Sequence, residues 1–307
     1  MNLRPLASTG LNVSPICLGT MTFGTPVGEA EAVGLTRWAV DHGINFIDTA
    51  NMYEGYARTL GSAGGVAEEI LGKALAGRRE EVVLASKVGM NVGPAPEDEY
   101  ASPAAIRKQL DKSLRRLATD YVDIYYLHRP DPHTPLPDIL GALAEAIQSG
   151  KIRHYGISNH SADQLCELLQ AADANGLPRP VILQPAYSLL DRGIEKDILP
   201  LCEKEGIAVA PYQILQGGLL TGKYRRGESL PVDSRKAEAE NWVAELTDEL
   251  FDRIEQIEIE ARAKGRTLFE HAILSVLEVP AIVSAVLGVK RIDQLEAMVR
   301  IVDTLEG

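Results

Sequence analysis

The stretch Ile44 to Tyr53, INFIDTANMY, climbs through apolar residues to Asp48 and places a tyrosine five residues further on. Such a run predicts a buried β-strand that delivers a carboxylate to its C-terminal end, with a phenol on the loop beyond. Two later runs end the same way, VVLASK at Lys87 and VDIYYLH at His128. Alternate residues of a strand share a face. Asp48 is therefore expected beside Phe46 and Ile44, Lys87 beside Ala85 and Val83, and His128 beside Tyr126 and Ile124. A phenol with a reference pKa of about 10 is a poor proton donor on its own. An adjacent Lys87 ammonium favours its phenolate, and Asp48 orients Lys87, keeps it charged and spares it from being a lone buried charge. His128 adds a hydrogen bond to the substrate oxygen. Together the four would hold a carbonyl oxygen, stabilise the negative charge that builds on it and deliver a proton. Taken singly, Asp48 reads as a turn or helix-capping residue, Lys87 as a salt-bridge partner and His128 as a satisfied loop histidine. The joint occurrence at the ends of successive strands is what points to chemistry.

The elements that must position these residues follow a regular rhythm. Strands are expected to begin near Ile16, Ile44, Val82, Val122, Ile152, Val181, Ile207 and Ile282. Amphipathic helices are expected around Ala30 to His42, Val66 to Ala76, Pro103 to Leu117, Leu136 to Ser149, Ala162 to Asn175 and Ile194 to Glu205. Eight strands alternating with helices predict a parallel sheet, and a unit of about thirty residues or slightly more suits a (β/α)₈ TIM barrel rather than a doubly wound sheet. Residues Leu3 to Val13, around a Thr9-Gly10 turn, predict an N-terminal β-hairpin. The gap from Ile207 to Ile282 is twice the others. It holds a Gly-rich, charged segment from Gln216 to Arg235 and helical patterns over Thr247 to Lys264 and Leu268 to Leu277. An enlarged loop and helix insertion after strand seven, on the active-site face, is expected to fold over a ligand. A last helix, Ile292 to Leu305, closes the barrel. No linker or composition shift marks a boundary, so residues 1–307 are expected to form a single α/β domain.

Asp, Tyr, Lys and His on consecutive βα loops, with Tyr53 in a DTAxxY motif, make the chain similar to the aldo-keto reductases from end to end. The resemblance implies an NADPH-dependent oxidoreductase that reduces an aldehyde, ketone or sugar carbonyl to an alcohol, with Tyr53 as proton donor. No side chain can supply a hydride, so a nicotinamide cofactor, NADPH/NADP⁺, is implied. Ser158 and Asn159, in GISN after strand five, and Gln184, after strand six, match the family's nicotinamide carboxamide positions. Tyr212 matches the aromatic on which the ring stacks. Ser158 and Asn159 also suit a helix N-cap ahead of Ala162. Gly19 and Thr20 after strand one, and Gln213 and Leu215 beyond Tyr212, are implied cofactor neighbours. GGLLTGKY, with Gly217 and Lys223, resembles the loop draped over the pyrophosphate. Gly288, Lys290, Arg291 and Gln294 match the adenosine phosphate segment, where a helix N-terminus is itself an anion site. Lys290 stands where Ser or Arg is usual, and Met298 where Asn often contacts the adenine.

The long connection EGYARTLGSAGG replaces the family's short one, and Ala67-Glu68 replaces its common Ser-Glu. Thr22, Phe23, Tyr56, Arg129 and Trp242 are the expected substrate-pocket residues, for a polar aldehyde, ketone or sugar. Almost no C-terminal tail is available to enclose it. The chain of 307 residues, 45% hydrophobic, carries a net charge of −12 without a basic stripe, which argues against nucleic acid or an anionic membrane as partner. Neither a signal-peptide h-region nor an apolar run of ~18 residues is present, so a cytoplasmic protein is expected. Cys17, Cys166 and Cys202 lack metal or redox spacing. GGLLTGKY has GxxxxGK spacing, but Tyr224 stands where a phosphate loop needs Ser or Thr. His128 and His133 flank RPDPH without completing a metal set, and GxGxxG is absent, so neither a metal site nor a Rossmann fold is expected. Two alternatives remain open. Potassium-channel β subunits share the resembled fold and act mainly as regulatory partners, and a strand-end Lys87 could form a Schiff base in a lyase, although Asp48 would hold it protonated.

Overall fold

The short apolar runs are strands buried on both faces, as a barrel wall requires. The computed structural model describes residues 1–306. A hairpin of β1 (Arg4–Pro5) and β2 (Asn12–Val13) precedes eight strands: β3 (Ile16–Gly19), β4 (Phe46–Asp48), β5 (Val83–Val88), β6 (Val122–Leu127), β7 (Ile152–Ser158), β8 (Ile182–Gln184), β9 (Ala208–Val209) and β10 (Ala285–Gly288). The strands pair in parallel in chain order, with β10 beside β3. Between β9 and β10 the cycle closes through Val209 N to Ala281 O at 3.0 Å, Val283 N to Val209 O at 2.9 Å and Val286 N to Pro211 O at 2.9 Å. This is the expected (β/α)₈ barrel with its N-terminal hairpin.

Helices α1 (Glu29–Asp41), α2 (Val66–Ala74), α3 (Pro103–Arg116), α4 (Leu136–Gln148), α5 (Ala162–Ala174) and α6 (Ile198–Glu205) follow β3 to β8 in turn. After β9 come α7 (Arg235–Glu238), α8 (Asp248–Ala263) and α9 (Leu268–Leu277), and α10 (Ile292–Asp303) follows β10. Helix α6 starts later than its apolar pattern suggested. Gly193–Glu195 forms a separate 3₁₀ turn, and Asp197 caps the helix proper by accepting from Ile198 N at 2.7 Å. The last strand likewise starts at Ala285, because Ile282 makes only a single bridge to Val209.

Strand parity divides the core into two layers. Phe46, Ala85, Ile124 and Tyr126 point into the barrel, where Leu6 and Val13 of the hairpin join them. Ile47, Leu84, Tyr125 and Leu127 face outward and pack with helix residues such as Ile70, Ile106 and Leu140. A third cluster, including Leu219, Tyr224, Val243, Phe251 and Leu268, roots the insertion against α8 and α9. No helix among the described residues is long and apolar enough to cross a membrane.

Inside the barrel one missing side chain makes room for a large one. Gly156 on β7 pairs with Tyr126 on β6, and a Cβ at Gly156 would meet the Tyr126 ring at 2.6 Å and Ile182 Cγ2 at 2.7 Å. Tyr126 is fully buried and shares the face that carries Lys87 and His128, so its place sets their neighbours. Gly156→Ala is expected to cost roughly 1 to 3 kcal/mol by overpacking. A urea melt with an unchanged midpoint would show that the Tyr126 ring can move aside freely.

Candidate functional site

At the C-terminal end of the barrel, β4 and β5 bring a carboxylate and an ammonium together in the interior. Lys87 Nζ lies 2.5 Å from Asp48 Oδ1, and the two side chains are 0% and 2% exposed. An ammonium has three donors, and Lys87 directs the other two to Thr49 O at 2.9 Å and Tyr53 Oη at 3.2 Å. Asp48 spends its second oxygen on Gln184 Nε2, at 2.9 Å. A charge pair buried this deeply is tolerable only when such partners surround it. Burial by itself would lower the Lys87 pKa, but Asp48 and Tyr53 outweigh it and hold the side chain above the ordinary lysine value.

The phenol departs from expectation. Burial is its largest influence and raises its pKa above 10, against the opposing pull of Lys87. Tyr53 is thus a neutral phenol at neutral pH rather than a phenolate. Because its oxygen already accepts from Lys87, its own proton is free to point elsewhere. His128 stands edge-on to the Tyr53 ring, with centroids 6.0 Å apart. Burial, then Lys87, Arg129 and Arg58, push its imidazole well below the ordinary histidine value. It is a neutral ring with one N–H, and its buried Nδ1 has no partner among the described residues.

These groups open onto a chamber of about 710 Å³, where Asp48, Tyr53 and His128 reach the lining and Lys87 lies directly behind them. Every residue matched to the cofactor faces this chamber, including Gly19, Thr20, Gln213, Leu215, Gly288 and Gln294. Near Tyr53, polar groups hold one another in place. Ser158 Oγ donates to Gln184 O at 2.7 Å, Asn159 Nδ2 to His128 O at 2.9 Å, and Tyr212 Oη to Asn159 Oδ1 at 2.7 Å. The helix-capping alternative for Ser158 and Asn159 does not hold, because Ser161 caps α5 by accepting from Gln164 N. Asn159 instead sits in left-handed backbone with φ +59°.

Further along, Lys223 and Arg235 face the chamber without a carboxylate in ion-pair contact among the described residues. Lys223 is half-buried and is pulled below the ordinary lysine value by that burial, and Arg235 Nε donates to Tyr56 Oη at 3.0 Å. Two cations with no direct ion-pair partner among the described residues, in a protein of net charge −12, fit an anion such as the pyrophosphate of a dinucleotide. At the far end, Lys290 bonds the Glu238 carboxylate and Asp233 O, and Arg291 bonds Asp233 and Asp293. The insertion thus reaches across to β10 and α10, over the chamber.

Two residues expected in the substrate pocket lie elsewhere. Phe23 is 0% exposed and packs in the core between strands and helices, because its loop turns inward at Thr22, whose hydroxyl donates to Val289 O at 2.9 Å. Arg129 is committed to Gly89 O and Glu99 Oε1, at 3.1 and 2.6 Å, and stacks over Tyr100. Thr22, Tyr56 and Trp242 do line the chamber, and the Tyr56 and Trp242 rings are 5.9 Å apart. Arg58, Met90 and Arg235 also line it and were missed. The length of the connection after Tyr53 and the charge of the Gln216 to Arg235 segment were the available signals. Glu68 is structural. It is fully buried and bonds Ser86 at 2.6 Å and Arg116 at 2.8 Å, tying α2 to β5 and α3 behind the Tyr53 loop.

With the site described, comparison with known proteins adds an independent line. The model of the "Aldo/keto reductase family" matches residues 15–306. A "Probable voltage-gated potassium channel subunit beta" of Arabidopsis thaliana is 34% identical over 314 residues, covering 99% of this chain and 92% of that protein. "Protein tas" of Escherichia coli is 34% identical over 322 residues, covering 96% and 91%. The "L-glyceraldehyde 3-phosphate reductase" of the same bacterium is 31% identical over 316 residues, covering 99% and 88%.

Removing the cation should expose how much the buried pair matters. Lys87→Met leaves Asp48 a buried carboxylate with no ammonium, and a loss of roughly 3 to 5 kcal/mol is expected at neutral pH. Burial favours the protonated carboxyl, so in this variant the penalty is absent below the unfolded carboxyl's pKa of about 4 and grows as pH rises. Melts of variant and wild type should therefore differ less at about pH 5 than at about pH 8. An equal deficit at both would show that Asp48 finds other compensation.

Proposed function

Because the chain belongs to the aldo/keto reductase family, we propose that it reduces an aldehyde, ketone or sugar carbonyl with NADPH, using Tyr53 as the proton donor. One observation carries this reading: a neutral phenol accepts a hydrogen bond from an ammonium that is itself locked to Asp48, beside a neutral imidazole in the same chamber. When bound, the nicotinamide cofactor supplies the hydride that no side chain can.

The chain's own residues account for the rest. Tyr53 O–H and the His128 N–H bind the carbonyl oxygen and orient the carbon behind it. As that oxygen gains negative charge, the Tyr53 proton passes to it, giving the alcohol hydroxyl. Lys87 stabilises the phenolate left behind, and Asp48 keeps Lys87 charged throughout. Burial makes Tyr53 less acidic in the ground state, so the proton stays on until the substrate oxygen has become basic. Ser158, Asn159 and Gln184 would hold the carboxamide, with Tyr212 beneath the ring. Lys223 and Arg235 would take the pyrophosphate, and Lys290 and Arg291 the adenosine 2′-phosphate. The pairs that Lys290 and Arg291 form with Glu238 and Asp233 do not preclude this. The Arg291 and Asp233 side chains are 51% and 62% exposed, so that pair is weak, and Lys290, paired with Glu238 at 19% and 29% exposure, would exchange one carboxylate for a doubly charged phosphate.

A regulatory role of the channel-subunit kind is supported by two plant relatives, each a probable voltage-gated potassium channel subunit beta. Turnover separates the two readings. Loss of NADPH absorbance with a panel of aldehydes is expected for the reductase, whereas tight cofactor binding without turnover would favour the regulator. Tyr53→Phe should keep NADPH binding and lower turnover by roughly 10² to 10⁴-fold. The wild-type reduction rate should stay level through neutral pH and fall only above 10, because burial raises the phenol. A midpoint between about 7 and 8 would point to another acid.

Cofactor choice has its own test. Replacing Lys290 and Arg291 by Ala should weaken NADPH roughly ten- to a thousandfold in a fluorescence titration and leave NADH almost unaffected. High salt should erode the wild-type preference more than the variant's. Equal losses for both cofactors would mean the phosphate is held elsewhere.

A further inference from the structure

One cation at the substrate end of the chamber has no task in the chemistry above. Arg58 follows the Gly55–Ala57 turn in the long connection between Tyr53 and α2, and its guanidinium is half-buried in the chamber wall beside Met52, Met90 and His128. Its hydrogen bonds all go to neutral groups. Nη1 donates to Met52 O at 2.9 Å and Ser62 Oγ at 3.4 Å, and Nη2 to Asn91 O. A guanidinium has five N–H donors, so Nε–H and the second Nη2–H remain without a partner among the described residues. The nearby Glu54 carboxylate bonds the Ser62 hydroxyl and forms no ion pair with Arg58.

The position of this charge matters as much as its lack of compensation. Arg58 is one of the three cations that depress the His128 imidazole, and so it lies near the proposed proton donor rather than at the adenosine end. Burial pulls the guanidinium below the ordinary arginine value, and the field of Glu54, which reaches it only across Ser62, opposes that shift without cancelling it. The loop is held firmly. Gly55 has φ +71°, a Cβ there would come within 2.0 Å of Thr25 O, and Tyr56 N donates to Thr25 O at 2.8 Å. A fixed cation with two open donors, beside the group that binds a carbonyl oxygen, suits a bidentate oxyanion on the same substrate.

Resting on the reductase reading, we propose that the physiological substrate is an anionic carbonyl compound, whose carboxylate or phosphate is bound by Arg58 while its carbonyl oxygen meets Tyr53 and His128. Arg58 is then a specificity-determining residue that leaves the hydride and proton steps to the groups already described.

The test compares matched pairs of substrates. The kcat/KM for 4-carboxybenzaldehyde is set against benzaldehyde, and that for glyceraldehyde 3-phosphate against glyceraldehyde, with NADPH saturating. In wild type the anionic member of at least one pair should be favoured roughly ten- to a hundredfold, mainly through KM, and the advantage should shrink at high salt. Which pair shows it distinguishes carboxylate from phosphate. Arg58→Gln should bring that ratio close to one while the neutral member loses at most a fewfold, and Arg58→Lys should restore part of it. Turnover of the neutral aldehydes supports the reductase reading by itself. Given that turnover, a wild-type ratio near one in both pairs overturns this inference alone. Equal losses for charged and neutral members in Arg58→Gln overturn it too, because Arg58 would then only brace the loop through Met52 O. No turnover of any aldehyde overturns both readings.

Discussion

The buried contact between Lys87 and Asp48 is the constraint on which the rest of this site depends. An ammonium in an apolar barrel is affordable only if each of its three donors finds an acceptor. Asp48, Thr49 O and Tyr53 Oη are those acceptors. Adjacent parallel strands β4 and β5 place the first two within reach, and the loop after β4 must bring Tyr53 back to supply the third. Gln184 from β8 then satisfies the carboxylate oxygen left over. One charge pair therefore ties elements 136 residues apart to a single geometry. It also leaves the phenol proton free to point into the chamber that Tyr53 lines.

Charge is distributed unevenly around that centre. The protein is acidic overall, yet Lys223, Arg235 and Arg58 face the chamber with no carboxylate in ion-pair contact among the described residues. Inside a low-dielectric cleft such cations act at longer range than they would at the surface, and the net negative charge elsewhere sharpens the contrast. Only Lys290 and Arg291 are covered, by carboxylates carried on the insertion and on α10. The Arg291 pairs are exposed and hold the insertion only weakly, whereas the better-shielded Lys290–Glu238 contact marks where it rests.

The two long connections divide the work of shaping the cavity. The one after β4 is pinned by Gly55 against Thr25 and carries Tyr56 and Arg58 beside the candidate proton donor. The one after β9 has its own apolar root, with Leu219, Tyr224 and Val243 packed on α8 and α9. It contributes Lys223, Arg235 and Trp242. The loops meet where Arg235 donates to the Tyr56 hydroxyl. Neither apolar alternation nor helical periodicity applies to such segments, and that governs how far a sequence reading of them can go.

Along the strands the sequence alone was sufficient. Near-continuous apolar runs that end in a polar residue determine the strand, and counting in twos along them gives the face on which Asp48, Lys87 and His128 lie, because a pleated chain cannot place neighbours on the same side. Eight such runs, each followed by a helical pattern, determine the barrel, and the identities of the four polar groups determine what they can do to a carbonyl. Tertiary structure decided what depends on approach between distant segments. Phe23 went to the core and Arg129 to Glu99 because loop residues have no periodicity to assign them a face. Tyr53 is a neutral phenol because the desolvation it meets at the chamber wall, which no local pattern records, outweighs the field of Lys87. Arg58 faces the chamber without a direct ion pair because Glu54, four residues before it, bonds Ser62 instead, and that choice between neighbours is made only when the loop has folded.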